Sequence, residues 1–279
     1  MLLDQYKKYL EDQELSQSTI DKYLKDIEQF EEFKNDKRYK QKITVDYRKD
    51  PEFSKDLIID YKKDLARRYK TSTTNNKIII INKYLKWLDL EDLTVKQVKE
   101  QNKGSLDNVL TQTDFNRIYR QAEQKGTERD KVMLNALLYT GLRVSELEFL
   151  TVEALKAGSI TVNNKGKIRQ VPITNQLAKQ LKAYTRANRI ETGSIILNNQ
   201  GKPLSRNYVF KRLKWLGGQA RVRKDKVYPH SIRHLFAKNW LAKNKNNVLQ
   251  LADILGHSSL ETTRIYTKLN TDELRATME

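Results

Sequence analysis

The chain has 279 residues, of which 38% are hydrophobic, a length that suits two domains better than one small core. It contains no cysteine, which excludes a disulfide framework or a thiolate metal site, and no apolar run of membrane-spanning length or signal-peptide pattern, so a cytoplasmic protein is expected. Lys and Arg number 53 against 35 Asp and Glu, a formal net charge of +18 that seeks a polyanion such as DNA or RNA rather than a membrane, for which no basic helix offers an insertion face.

The first hundred residues read as helices. In STIDKYLKDIEQFEEFK the residues Ile20, Tyr23, Leu24, Ile27, Phe30 and Phe33 recur every three or four positions, the buried face of an amphipathic helix capped by Ser18. After Pro51, SKDLIIDYKKDLARRYK gives a second helix, and NNKIIIINKYLKWL a third, beginning near Asn75 and Asn76 behind the polar run TSTTNN. Residues 1–100 therefore form a helical domain. QNKGSLDN, residues 101–108, loses the periodicity and reads as a linker to a second domain over 109–279.

That second domain opens with helices over LTQTDFNRIYRQA and ERDKVMLNALLYTG, the latter stopped by Gly141. Alternation in SITVNNKGKIRQVPI predicts a β-hairpin with lysines at its tip, and SIILNN a third strand. Helices follow to the end. Gly256 closes VLQLADIL, and Ser258 with Glu261 forms a capping box for a helix that places Tyr266 about 12 Å along its axis. A last short helix can start at Asn270.

Three histidines, His230, His234 and His257, make up the whole complement and fall in one short region. On a helix starting near Pro229, His230 and Arg233 share a face, with Ile232, Leu235, Phe236 and Trp240 turned to the core. A guanidinium matches two phosphate oxygens at once, and an imidazole beside it can donate a hydrogen bond or move a proton near neutral pH. The spacing of His230 and His234 also suits half of a helical metal site, but no glutamate of a His-Glu-x-x-His pattern is present and Arg233 would oppose a cation. No metal and no cofactor is expected.

These residues sit in motifs that resemble the tyrosine recombinases, the family of phage-type integrases and Xer-type recombinases. TGLRVSEL resembles the family's first arginine box, with Arg143; HSIRH its second, with His230 and Arg233; and LGH followed nine residues later by Tyr266 its ending, with His257. The four motifs, counting the hairpin, stand in the family's order over roughly residues 110–269. The resemblance implies a mainly α protein of two domains: a helical SAM-like core-binding domain, and an α+β catalytic domain with a small antiparallel sheet. It implies Tyr266 as nucleophile, Arg143, Arg233, His230 and His257 around the phosphate, and a hairpin lysine as acid. The hairpin reads Asn-Asn-Lys-Gly-Lys where the family has Gly-Lys-Gly-x-Lys, so the acid is either Lys165, favoured because it precedes the turn glycine, or Lys167.

The implied activity is site-specific DNA strand exchange through a 3′-phosphotyrosyl link, for integration, excision or resolution. The implied partners are double-stranded DNA sites paired by a homotetramer, with accessory DNA-bending proteins, in the cytoplasm on the nucleoid. The pattern begins almost at Met1, so a core-site recombinase without an arm-binding domain is expected. Two other readings use the same residues: a type IB topoisomerase, and a DNA-binding regulator on an inactive scaffold. Glu146, close to Arg143, either orients it or forms a surface pair, and His234 is expected to be structural.

Overall fold

Apolar spacing along the first hundred residues is realised as four helices, α1 (Leu2–Asp12), α2 (Gln17–Asn35), α3 (Lys55–Arg68) and α4 (Thr71–Trp87). The computed structural model describes residues 2–35, 53–99, 109–164, 167–244, 247–257, 262–263 and 266. The linker 101–108, Lys165, the Ser258–Glu261 cap and the helix from Asn270 lie outside them. The chain separates into two compact units, residues 1–102 and 103–279.

In the first unit Ile20, Ile27 and Phe30 of α2 are buried with Leu57, Ile58, Tyr61 and Leu65 of α3 and Ile78, Ile81, Tyr84 and Leu85 of α4. Helix α1, not singled out from the sequence, joins this core through Tyr6 and Leu10, and the Tyr6 ring meets Tyr84 edge-on at 5.0 Å. Two sequence expectations shift. Helix α2 begins at Gln17, so Ser18 lies inside its first turn, and the carbonyl of Ser16 accepts from Ile20 N. Helix α4 begins at Thr71, taking in the polar run expected to precede it.

The reason is that this run has tertiary partners. Thr74 Oγ1 donates to the Leu65 carbonyl at 3.2 Å. Asn75 Nδ2 donates to the Val98 carbonyl at 3.0 Å, while its Oδ1 accepts from Val98 N at 2.8 Å. Two turns on, Asn82 repeats the arrangement with Val95. The two amides clasp the extended segment that leaves the unit, and local propensity yields to these bonds.

The second unit is built around α6 (Glu128–Thr140), in which Val132, Met133, Leu134, Ala136, Leu137 and Leu138 are all buried. It packs against α5 (Gln112–Lys125), α8 (Asn175–Ala187) and α10 (Pro229–Lys243). Capping boxes at Thr111/Asp114 and Thr127/Asp130 start α5 and α6. Gly141 ends α6 with φ 63°, and a Cβ there would lie 2.4 Å from Phe236 Cδ1. Only glycine meets both demands.

A 3-10 turn over Val144–Phe149 and the short α7 (Val152–Ala157) lead into the hairpin of β1 (Ser159–Asn164) and β2 (Lys167–Pro172), paired antiparallel with Ile160 opposite Val171 and Val162 opposite Arg169. Helices α9 (Arg206–Gln219) and α11 (Val248–Leu255) complete the described elements. The fold is thus mainly helical with a small two-stranded antiparallel sheet. The third strand expected at SIILNN is corrected. Ile195 and Ile196 are buried, but the segment makes only isolated bridges, Thr151 to Ser194 and Leu197 to Pro203. Its apolar run fills the core as a loop, and among the described residues no strand lies alongside to extend the pairing.

Candidate active site

Three turns of chain bring the site together. Gly141 reverses the backbone so that Arg143 follows directly at the head of the 3-10 turn. Pro229 at the first turn of α10 starts that helix with His230 beside it and Arg233 one turn further in. Gly256, with φ 65°, ends α11 and presents His257, whose N–H bonds back to the Ala252 carbonyl at 3.0 Å.

Arg233 is 1% exposed, the largest fully buried side chain of the described residues. Its Nη1 donates to the Gly141 carbonyl at 2.7 Å and its Nη2 to the Leu255 carbonyl at 2.6 Å, so one guanidinium joins both glycine turns. Nη2 also lies 3.1 Å from His257 Nε2. Burial, then the neighbouring Arg143, brings its pKa down to about 10.

Glu146 is the anionic centre, and it is buried at 1% exposure rather than paired at the surface. Its carboxylate accepts from Arg143 N and from Arg143 Nη1, each at 2.8 Å. It also accepts from Arg169 Nη1 and Nη2 at 3.1 and 2.7 Å. Arg233 Nη1 lies 3.9 Å away. Burial opposes the charge most strongly, but the bonds from Arg169 and Arg143 outweigh it and hold Glu146 at about 2. Three guanidiniums thus face one carboxylate, and Arg143, whose side chain is 35% exposed, has an edge open to a ligand.

An arginine has no acceptor, so His257 Nε2 accepts from Arg233 and the ring hydrogen sits on Nδ1, 2.8 Å from Thr263 Oγ1. Desolvation, Arg233 and Arg143 hold His257 at about 4, a neutral ring at pH 7. His230 is exposed at the helix start, and it too is held below its ordinary value by desolvation, Arg233 and Arg143.

Tyr266 is 5% exposed and packs between two imidazoles, edge-on to His234 at 5.0 Å and stacked on His257 at 6.0 Å. Burial raises its pKa above 10, opposed by the charge and hydrogen bond of Arg233 and by the charge of Arg143. Arg143, His230, Arg233, His257 and Tyr266 therefore converge. Lys165 is not among the described residues. His234 is closer to the chemistry than expected: its ring bridges His230 and Tyr266, and its buried Nδ1 has no hydrogen-bond partner among the described residues.

Among the described residues no group of three His, Cys, Asp or Glu is arranged to hold a metal ion. The site instead concentrates fixed positive charge, neutral imidazoles and one phenol, the set needed to bind and attack a phosphodiester. Sequence reasoning missed Arg169. The signal was present: Val171 and Ile173 alternate onto the core face, which puts Arg169 on that face too, while Ile168 is outward.

Comparison with known proteins matches residues 108–273 to the model described as the phage integrase family, and residues 3–92 to the phage integrase N-terminal SAM-like domain. The tyrosine recombinase XerD of Staphylococcus aureus (strain Mu50 / ATCC 700699) is 36% identical over 156 residues, 53% of this chain and 52% of the relative. The match spans about half the length of that relative. The crystal structure of XerA recombinase shares 26% identity, covering 99% of this chain and 96% of that one with a TM-score of 0.54. XerH site-specific recombinase bound to palindromic difH substrate, a post-cleavage complex, has a TM-score of 0.77 at 19% identity, covering 93% and 79%. No described helix is long and apolar enough to cross a membrane.

Proposed function

The chain belongs to the phage integrase family, and on that premise we propose that it is a site-specific DNA recombinase that cleaves and rejoins DNA through a phosphotyrosyl bond at Tyr266. The observation that carries this reading is the contact of one buried tyrosine with Arg233 and His257, in a pocket where three guanidiniums face a single carboxylate.

Each residue then has a task set by its chemistry. The outward edge of Arg143 and the Arg233 guanidinium clamp the non-bridging phosphate oxygens and stabilise charge that gathers in the transition state. The phenol oxygen of Tyr266 attacks phosphorus, its proton leaves, and the bond to the 5′-oxygen breaks, leaving a 3′-phosphotyrosine. His230, neutral at pH 7 because its pKa is depressed, is the acceptor for that proton. Lys165, which follows β1 in the sequence, donates to the departing 5′-oxygen. Bond energy is kept in the phosphotyrosine, and a 5′-hydroxyl from a partner strand reverses the step.

His257 changes role when phosphate enters. Arg233 turns its Nη2 to the phosphate, and Nε2 of His257 becomes free to carry a hydrogen and donate to the same group. The change of tautomer takes the Nδ1 proton off to solvent and returns one to Nε2, and the Thr263 hydroxyl accommodates it by rotating, since it can accept from Nδ1–H or donate to bare Nδ1.

Residues 1–100 serve as the core-binding domain, 101–108 as linker and 109–279 as the catalytic domain, together holding a duplex through a basic surface. Exchange between two duplexes breaks four phosphodiesters, one per tyrosine, so the working assembly is a homotetramer on two DNA sites. It acts on cytoplasmic DNA at the nucleoid, where DNA-bending proteins can assist it.

The test is to incubate the protein in EDTA with nicked duplexes tiled from the DNA that flanks its gene, and to look for an SDS-resistant adduct. The expected result is a 3′-linked adduct with the wild type and none with Tyr266→Phe. Binding without an adduct on any fragment supports a DNA-binding regulator, and relaxation of supercoiled plasmid at arbitrary sequence supports a topoisomerase. Either result overturns the proposal.

A further inference from the structure

Arg169 has a set of contacts that the reaction above leaves unused. It leaves β2 on the buried face, its side chain 11% exposed. Nη2 and Nη1 donate to Glu146 Oε2 and Oε1 at 2.7 and 3.1 Å, and Nε donates to the Ile254 carbonyl at 2.9 Å. All three nitrogens are engaged inside the protein. Room for them depends on Gly256: a Cβ at that position would lie 2.8 Å from Arg169 Cδ and 2.9 Å from Nη1.

We propose that Arg169 is a positioning residue for strand cleavage, acting through Glu146 and through the end of α11 that carries His257. The assignment rests on the function proposed above. Its physical basis is the shared carboxylate. Arg169 grips both oxygens of Glu146 as a fork, while the Arg143 side chain adds one bond, from Nη1 to Oε1. Without Arg169, the buried carboxylate would have two open acceptor positions, and the guanidiniums left facing it are those of Arg143, already bonded to it, and of Arg233, whose Nη1 is 3.9 Å away. Those two groups would turn inward, toward the carboxylate and away from the phosphate. By filling Glu146, Arg169 keeps the outward edge of Arg143 available.

The same guanidinium fixes a second distance. Ile254, whose carbonyl accepts from Arg169, immediately precedes Leu255, whose carbonyl accepts from Arg233. His257 follows two residues later. Strand β2, the arginine clamp and His257 are therefore held in one frame by a group that touches none of the reacting atoms.

The experiment compares single-turnover cleavage with equilibrium binding on a duplex that forms the adduct. It uses the wild type, Arg169→Ala, Arg169→Lys, Glu146→Gln and the double variant Arg169→Ala/Glu146→Gln, each checked for cooperative thermal unfolding. Arg169→Ala is expected to cleave about 10- to 100-fold more slowly, with Kd changed less than about twofold, because Arg169 makes no phosphate contact. Arg169→Lys keeps the charge without the fork and recovers only part of the rate. In the Glu146→Gln background the cost of Arg169→Ala shrinks, since a neutral amide draws the other guanidiniums inward less strongly.

Wild-type cleavage by Arg169→Ala overturns the assignment. So do equal losses in rate and affinity, which would mean a direct phosphate contact, and costs that simply add in the double variant. Should Arg169→Ala not fold, Arg169→Lys is read in its place, and an unchanged rate overturns the proposal equally. A wild type that forms no adduct on any duplex removes the functional reading and this role with it. A wild-type adduct beside an undiminished Arg169→Ala rate removes this role alone.

Discussion

In the N-terminal unit the buried carboxylate of Asp26 faces the Lys77 ammonium at 2.5 Å, one anion to one cation, and Lys77 also donates to Gln29 and lies 5.2 Å from the Tyr69 ring. In the C-terminal unit the buried carboxylate of Glu146 faces Arg143, Arg169 and Arg233. The first arrangement balances its charge within itself. Among the described residues the second holds an excess of cations beside imidazoles kept neutral, a charge that an anion from outside would balance. Buried polar groups in a helical scaffold close on one another; those in a phosphate site stay open on one side.

The largest effect that would break this comparison lies at the nucleophile. Tyr266→Phe removes only the phenol oxygen, so strand cleavage should fall by a factor on the order of 10⁴ or more. DNA affinity should change less than about threefold, because an uncharged ring releases no counterions. Quenched-flow cleavage beside fluorescence anisotropy separates the two, and a parallel loss of binding would show Tyr266 to be part of the scaffold.

Removing each carboxylate sharpens the contrast between the units. Glu146→Ala strands buried guanidiniums and should cost about 3–5 kcal/mol. Asp26→Ala leaves Lys77 with Gln29 and should cost about 1–3 kcal/mol. Urea unfolding of both variants provides the measurement; equal costs would erase the distinction drawn here.

Acid should also act first on the second unit. His234 and His257 stand at about 4 when folded, below the ordinary histidine value of 6.5, with burial the leading cause in each. Between those values the unfolded chain binds more protons, so stability falls as pH drops from 6.5 to 4. Glu146, at about 2 against 4.5, extends the loss below that window. Replacing His234 by Phe should flatten the upper part of the curve, and an unchanged slope would contradict the burial account.

The smallest expected effect is at the asparagine clasps. Asn82→Ala removes two bonds to Val95 and should cost about 1–2 kcal/mol, while cleavage of saturating DNA stays at the wild-type rate. A cleavage defect there would mean that the exit from the helical unit takes part in catalysis.

The parts of this molecule legible from sequence are those where one residue type has one physical use. The Ile20, Ile27 and Phe30 spacing gave the face of α2, Gly141 the stop of α6, and Pro229 the start of α10. What could not be read depends on partners distant in the chain. TSTTNN looks like a helix breaker until Thr74 finds the Leu65 carbonyl and Asn75 finds Val98. SIILNN looks like a strand but among the described residues lacks a neighbour to extend the ladder. In the site, Arg143, His230, Arg233, His257 and Tyr266 were nameable through motif order, and the structure brings them together. The three-fold use of Glu146, the engagement of Arg169 and the seat of His234 against Tyr266 appear only once β2, α10 and the end of α11 are in place.

The central claim is that one tyrosine in this cationic pocket becomes bonded to DNA. Its most direct test is to trap the adduct on a nicked duplex, digest the DNA with nuclease and the protein with protease, and sequence the nucleotide-bearing peptide by mass spectrometry. The account predicts a single modified residue, Tyr266, joined through a 3′-phosphate. A nucleotide on any other of the 14 tyrosines, or a linkage through a 5′-phosphate, would contradict it.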